Sequence, residues 1–205
     1  MPNDSSKDGY HHGDLRNALL SAAEGLLVQH GPGGLSLREV ARVAGVSHTA
    51  PYRHFSDKAA LLQALARRGF ERLHAAMTDA AAGVPHGPEQ QLIAAGIACV
   101  RHAVNHAEIT QLMFGGTLAS TVDAAGDMSG RDAFAALQTI IESGISAGVF
   151  RQREPRELAL VAWTSMHGLA MLMTAGLLEV DTGNPAALDQ LVGSVASNVI
   201  YGIAR

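Results

Sequence analysis

The segment from Leu35 to Lys58, LSLREVARVAGVSHTAPYRHFSDK, constrains the fold more than any other part of this 205-residue chain. Apolar and charged residues recur at helical spacing in its first half, which predicts a short amphipathic helix with Ser36 as the N-cap. The predicted inward positions are Leu37, Val40 and Ala41. Gly45 ends this helix, because glycine adopts the left-handed conformation that reverses a chain within a few residues.

A second short helix is predicted from Ser47 to His54, with Ser47 as its cap and Val46 filling the gap between the two helices. Pro51 has no N–H to donate, so the start of this helix is expected to be shifted or strained. Two short helices joined by a glycine turn form the helix-turn-helix arrangement that places its second helix in the major groove of DNA. The side chains available for base edges and phosphates are His48, Thr49, Tyr52, Arg53 and His54.

The flanking sequence extends this pattern into a resemblance. From Tyr10 to Leu62 the chain reads DLRNALLSAAEGLLVQHG, then SLREVA, AGVS and YRHFSDKAALL, and it resembles the TetR family of bacterial transcriptional regulators. The opening YHHGDLR and a Met-His-Gly at Met166 resemble the subset whose C-terminal domain carries Trp-His-Gly, with Met166 standing where that signature has Trp. The resemblance implies a homodimeric regulator, most often a repressor, that binds a pseudo-palindromic double-stranded operator and an effector of unknown identity.

The resemblance also implies roles for individual residues. Base contacts fall on Arg38, His48, Thr49 and Ala50, and phosphate contacts on Tyr52, Arg53, His54 and Lys58. Arginine can fork onto guanine, a threonine methyl can contact thymine, and tyrosine, histidine and lysine reach backbone oxygens. The predicted DNA-binding set is Arg38, Ser47, His48, Thr49, Ala50, Tyr52, Arg53, His54 and Lys58.

Composition predicts an all-α protein, because 47% of the residues are hydrophobic and only 4% are aromatic, with few alternating β-branched stretches. The net charge is −4, but residues 1–75 hold nine basic against seven acidic side chains, so a basic patch for DNA must be local. The predicted organisation is a flexible tail over 1–9, a helix-turn-helix domain over 10–60 and a ligand-binding and dimerisation bundle over 61–205. The first helix is predicted to begin at Asp14.

Cys99 is the single cysteine, so no internal disulfide can form, and the first residues show no signal-peptide pattern. A cytoplasmic location is therefore expected. The segment 158–178 carries no charged residue and is long enough to span a bilayer, but hydroxyls and His167 in its middle favour a buried helix instead. No membrane partner is predicted.

The homodimer is expected to form through residues 155–179 and 185–204, where the uncharged helix would pack against its own subunit and its partner. Apolar residues at helical spacing in the last helix extend this predicted contact. These residues are Leu188, Val192, Val195, Val199 and Ile203.

The C-terminal half is rich in adaptable side chains, which predicts a pocket for a small apolar effector, with a plain hydrophobic core as the alternative. His167 is distinct, because a histidine within an uncharged helix needs a polar partner from the core or from a ligand. The predicted ligand-binding set is Met113, Phe114, Trp163, Met166, His167 and Met171.

Two rival interpretations remain from the sequence. Cys99, His102 and His106 lie at i, i+3 and i+7, so a continuous helix would align a metal- or redox-responsive site. Residues 144–148 match the G-x-S-x-G elbow of hydrolases around Ser146, but a helix precedes them where that elbow needs a strand. The preferred interpretation is a regulator and not an enzyme, with no cofactor and no resident metal.

Overall fold

The computed structural model describes residues 7–85, 87–115, 129–178, 180–181 and 184–203. Within these ranges the chain is all-α, as the composition predicts, with eight α-helices and one 3-10 helix. They are α1 (Lys7–Gly34), α2 (Leu37–Val43), the 3-10 helix (Pro51–Arg53), α3 (Lys58–Ala82), α4 (Pro88–Asn105), α5 (Ala107–Phe114), α6 (Ser129–Ser146), α7 (Pro155–Thr174) and α8 (Pro185–Ile203).

The N-terminal end differs from the prediction. Residues 1–6 of the predicted tail lie outside the described residues, whereas residues 7–9 belong to α1. The prediction that α1 begins at Asp14 is wrong, because no proline separates Lys7 from Asp14 and the helix extends upstream of the expected cap. The glycines over 31–34 predict a break at the end of this helix, and Gly31, with a φ of 63°, interrupts the helical geometry there.

Backbone contacts divide the chain into two compact units. The N-terminal unit contains the described residues up to Arg68 together with α5 from Glu108. The C-terminal unit contains the described residues of 69–107 and those from Ser129 onward. This division differs from a boundary at residue 60 because α3 contributes to both units. α5 belongs to the first because Ile109 and Leu112 pack into its hydrophobic core.

The N-terminal unit is built around aliphatic side chains of α1, α2 and α3 that are almost completely buried. Leu19 and Leu27 from α1, Val40 from α2, and Leu61 and Leu65 from α3 are all 0% exposed. The Arg16 guanidinium lies over the Phe55 ring at 5.4 Å from its centre. This packing fixes the segment between α2 and α3, whose ends are joined to the core on both sides.

In the C-terminal unit, α4 packs against α6, α7 and α8. Gly176, with a φ of 70°, ends α7 five residues before the predicted end. Leu188 and Val192 of α8 are 2% and 0% exposed and lie in the core of their own subunit. They are therefore not free to form the predicted dimer contact. None of the helices in the described ranges combines the length and hydropathy needed to span a lipid bilayer.

Candidate DNA-reading surface and effector cavity

The first helix of the reading motif, α2, matches its prediction closely. The Ser36 hydroxyl accepts a hydrogen bond from the Glu39 N–H at 3.2 Å, which identifies Ser36 as the N-cap. Arg38 is exposed, while Leu37, Val40 and Ala41 are buried. Gly45 adopts a φ of 69°, and the Val46 N–H donates to the Ala41 carbonyl at 3.0 Å, closing the turn. Val46 then packs against the core, as expected.

The second helix is not the α-helix predicted over 47–54. Residues 48–50 form a turn, and only Pro51–Arg53 are helical, in the tighter 3-10 form. Proline causes this difference, because it cannot donate to the Ser47 carbonyl, and the Ala50 N–H takes that acceptor at 3.0 Å instead. Ser47 is not an N-cap either, since its hydroxyl lies 3.2 Å from the Thr49 hydroxyl and the cap position is Ala50.

This compact segment still separates an inner and an outer face. Pro51 and Phe55 are buried and anchor the segment, and the Phe55 N–H donates to the Pro51 carbonyl at 2.9 Å. Most of the predicted DNA-binding side chains face outward, and three are half-buried. The exposed ones are Arg38, Ser47, His48, Thr49, Tyr52 and Arg53, and the half-buried ones are Ala50, His54 and Lys58.

Lys58 and Asp57 fasten the start of α3. The Lys58 ammonium donates to the Gly33 carbonyl at 3.0 Å, so the predicted phosphate clamp also closes the end of α1. The Asp57 carboxylate accepts the Ala60 N–H at 2.8 Å and thereby caps α3. The Lys58 contact therefore ties the C-terminal end of the reading segment, residues 47–55, to α1 of the N-terminal unit.

A charged pair lies on the exposed side of α2. The Arg42 guanidinium donates to both carboxylate oxygens of Glu39, with the closest approach at 2.6 Å. This hydrogen bond lowers the pKa of Glu39 and raises the pKa of Arg42. Arg42 is therefore engaged by its own helix, one turn from Arg38.

The C-terminal unit contains a narrow cavity of about 20 Å³. Its walls come from α3, α4, α6, α7 and α8. The lining residues are Met77, Leu92, Gly96, Cys99, Leu137, Ala162, Trp163, Met166, Ala196, Val199 and Ile200. None of these side chains carries a charge or a hydroxyl group, so the cavity favours apolar ligands. Trp163 meets Phe134 edge-on, with ring centres 6.2 Å apart at 81°.

Of the six predicted ligand-binding residues, Trp163 and Met166 line this cavity. Met113 packs against the core of the N-terminal unit, and Phe114 follows it in α5. Met171 packs against the α4, α7 and α8 core, and half-buried His167 is absent from the cavity wall. Burial lowers the pKa of His167. Sequence reasoning missed the α4 contribution, although Leu92, Gly96 and Cys99 follow the i, i+4, i+7 spacing of one helical face.

Cys99, His102 and His106 do not assemble into the metal site that their spacing predicted. Among the described residues, no group of three histidine, cysteine or acidic side chains could hold a metal ion. Cys99 lines the apolar cavity, where burial raises the pKa of its thiol to about 12. α4 ends at Asn105, so His106 leaves the helical stripe, and its ring lies 4.8 Å from that of His102.

The G-x-S-x-G match around Ser146 is the end of a helix. α6 stops at Ser146, and the Phe150 ring packs onto Gly144 so closely that a Cβ there would overlap it. The Gly148 N–H donates to the Ile145 carbonyl at 3.0 Å, and Gly148 has a φ of 72°. Gly148 is thus required to end the helix, and Gly144 is required to make room for the Phe150 ring. These two structural roles explain the glycines of the motif without a catalytic role for Ser146.

Comparison with known proteins agrees with this arrangement. The family described as bacterial regulatory proteins, tetR family, matches residues 19–65, and a tetracyclin repressor-like C-terminal domain matches residues 92–195. The chain belongs to the TetR family of DNA-binding transcriptional regulators, which are not enzymes. It matches none of the curated proteins.

Solved structures extend the likeness along almost the whole chain. A protein of unknown function from Rhodococcus sp. RHA1 is 37% identical, with 97% of this chain and 100% of that chain covered and a TM-score of 0.82. The fatty acid degradation regulator FadR from Bacillus halodurans is 16% identical, with 93% and 97% covered and a TM-score of 0.76. KstR2, a ketosteroid transcriptional regulator of Mycobacterium tuberculosis, is 18% identical, with 93% and 95% covered and a TM-score of 0.63. The last two show the fold alone.

Proposed function

We propose that this protein is a homodimeric repressor that leaves a pseudo-palindromic operator when a small, uncharged, apolar effector enters its C-terminal unit. The DNA-binding part of this proposal rests on the geometry of the reading segment. Arg38, Thr49 and Tyr52 project outward from a backbone that Pro51 and Phe55 anchor in the core. A rigidly anchored row of donors and acceptors is what base-edge and phosphate contacts require.

Selection of bound duplexes from random DNA by the full-length protein tests this function. We expect an inverted repeat, since each subunit of a two-fold dimer reads one half-site. Arg38→Ala should lower affinity for the selected site by about 1–3 kcal/mol per half-site while leaving binding to scrambled DNA nearly unchanged. Arg42→Ala is the matched control, because Arg42 lies on the same helix but is engaged by Glu39. Enrichment of no sequence, or equal losses of preference in both variants, would contradict the proposal.

The dimer is proposed from the outer face of α7. Leu160, Val161 and Leu172 are 51%, 46% and 44% exposed, whereas Met166 on the opposite face is 6% exposed. The Thr164 hydroxyl lies between them and donates to the Leu160 carbonyl at 2.8 Å, so this face offers little polar character. An apolar helix face of this kind favours a second copy of the same helix as its cover.

Two glutamate substitutions at similarly exposed apolar positions test the dimer. Leu160→Glu should place an uncompensated charge in the contact and yield monomers at micromolar concentration that bind the selected operator poorly. Val28→Glu is the control, because Val28 is 60% exposed and lies on α1 in the N-terminal unit. Sedimentation of the wild-type protein and both variants measures the oligomeric state. A monomeric wild-type protein, or a dimeric Leu160→Glu variant, would contradict the proposed dimer contact on α7.

The effector part rests on the cavity and on the continuity of α3. Met77 of α3 lines the cavity, and Leu61 and Leu65 of the same helix lie in the core beneath the reading segment. An effector that displaces Met77 therefore acts on the helix that supports the reading segment. Release of DNA requires only that the effector bind the DNA-free state better than the DNA-bound state.

The test is a screen of uncharged apolar compounds for release of the selected operator. Release by charged compounds alone would contradict the assigned class.

A further inference from the structure

Met166 occupies the space beside Gly96 on the cavity wall that a larger side chain at position 96 would need. A Cβ built on Gly96 would lie 3.2 Å from the Met166 Sδ and 3.4 Å from its Cγ. The Met166 thioether therefore rests directly on the bare backbone of α4. By contrast, a Cβ on Gly168, in the same helix as Met166, would meet nothing within 4 Å. Of these two glycines, only Gly96 makes room for a neighbouring side chain.

The cavity beside this contact is too small for an effector. Its 20 Å³ corresponds to roughly one water molecule, whereas pockets for drug-sized ligands measure about 300–1,000 Å³. Any such ligand must therefore move side chains of the wall. Alanine and glycine cannot retract, and β-branched residues are stiff. The unbranched methionines, with their three rotatable bonds, are the most adaptable side chains of the wall.

We propose that Met166 determines which effectors fit, because its thioether, seated on Gly96, closes the cavity and must swing away for a ligand to enter. This inference deepens the proposed effector site and rests on it. Because the wall holds no charged or hydroxyl group, the ligands concerned are uncharged apolar molecules whose upper size is set by how far Met166 retracts. Truncating Met166 should admit larger ligands, and adding a methyl at Gly96 should push the thioether into the cavity.

The experiment uses the full-length protein and two optically silent hydrocarbons, cyclohexane and decalin. Emission of Trp163, the single tryptophan, reports occupancy because its side chain lines the cavity. We expect Met166→Ala to raise the affinity for decalin relative to cyclohexane at least tenfold. Gly96→Ala should weaken binding of both at least tenfold. The double variant should recover cyclohexane binding, because the thioether that the new methyl would displace is then absent and Ala196 Cβ lies at an ordinary contact distance of 3.9 Å.

Met173→Ala is the matched control. Met173 lies on α7 two turns beyond Met166 and is 7% exposed, but it does not line the cavity. It should lower the melting temperature without changing the decalin to cyclohexane ratio. If Met166→Ala does not fold, Met166→Val provides the same comparison with a milder truncation. An unchanged ratio in a folded Met166 variant, an equal change in Met173→Ala, or no hydrocarbon binding by any variant would overturn the proposal.

Failure of this inference and failure of the proposed function give different results. Hydrocarbon binding is measured without DNA, so a Met166-dependent ratio with no release of the operator refutes effector control and leaves the size limit standing. Release of the operator by apolar compounds with an unchanged ratio refutes only the role of Met166.

Discussion

The N-terminal and C-terminal units differ in how their interiors are filled. Beneath the reading segment, branched aliphatic side chains such as Leu19, Leu27 and Leu65 are 0% exposed. Around the cavity, two methionines and a glycine stand among the branched residues of the wall. Close packing of stiff side chains holds a recognition surface in one geometry, whereas unbranched side chains beside a void allow an interior to change shape. Reading DNA needs the first property, and sensing a ligand needs the second.

The largest expected effect concerns the reactivity of the cysteine in the cavity wall. Cys99 is buried in its wall, and burial raises the pKa of its thiol to about 12. Because the thiolate is the reactive form, alkylation at pH 8 should be about a thousand-fold or more slower than for an exposed cysteine with a pKa near 8.5. The rate of iodoacetamide labelling of native protein, compared with protein in denaturant, measures this.

Labelling should accelerate about tenfold per pH unit up to pH 11, as the thiolate fraction grows. The free energy of unfolding should fall over the same pH range. The thiol has the lower pKa in the unfolded chain and ionises there first, so raising the pH above about 9 favours unfolding. Native labelling within tenfold of the denatured rate would mean that the C-terminal interior opens readily and that burial does not protect Cys99.

The next effect compares the same substitution in the two interiors. Leu65 is 0% exposed in the N-terminal core, and Leu137 is 4% exposed in the cavity wall. Leucine-to-alanine changes cost about 2–5 kcal/mol depending on how far the surroundings collapse. We expect Leu65→Ala near the upper end and Leu137→Ala near the lower, because methionines can move into the vacated space. Hydrogen exchange resolved for each unit measures both free energies, and a larger loss for Leu137→Ala would reverse the comparison.

The sequence predicted the regular helices of both units well. Apolar residues at helical spacing, with Asp57 as an acidic cap and Gly and Pro residues over 83–88, predict helices from Asp57 to about residue 82 and over about 88–105. α3 (Lys58–Ala82) and α4 (Pro88–Asn105) occupy these spans. The reading segment, by contrast, is a turn followed by a 3-10 helix and not the α-helix that the sequence predicted over 47–54. One missing N–H at Pro51 changes the hydrogen-bond pattern, and propensity alone does not show which acceptor another donor will take.

The cavity was harder to predict, because it depends on which faces of five helices meet. Methionine content indicated an adaptable interior, yet Met113 and Met171 pack elsewhere while Gly96 and Cys99 form the wall. The spacing of α8 correctly marked an apolar face but could not show that Leu188 and Val192 turn inward. Val199, which the sequence assigned to the dimer contact, lines the cavity.

A smaller effect concerns acid stability of the C-terminal unit. The Nε2 atom of His102 is buried without a hydrogen-bond partner among the described residues. Burial, together with nearby His106 and Arg72, lowers the pKa of His102 to about 4. The unfolded side chain, near 6.5, therefore takes up a proton first, so stability is fully present above pH 6.5 and declines as the pH falls towards 4.

Acid unfolding followed by Trp163 emission, which reports the C-terminal unit, measures this effect. His102→Gln removes the proton uptake and should shift the acid midpoint to lower pH. His106→Gln is the control and should shift it less, since His106 is exposed and burial of His102 remains. An equal shift in both variants would show that the neighbouring charge outweighs burial.

The smallest effect concerns an ion pair on the surface of the C-terminal unit. The Arg101 guanidinium on α4 meets both carboxylate oxygens of Asp189 on α8 at 2.5 Å. Its side chains remain 46% and 36% exposed, so water screens the attraction. Asp189→Asn should therefore cost only about 0–1 kcal/mol, with less at high salt. If the unfolding free energy of this unit fell by several kcal/mol instead, α4 and α8 would be clamped at their surface, and the view of the cavity as the deformable interior held by apolar packing would need revision.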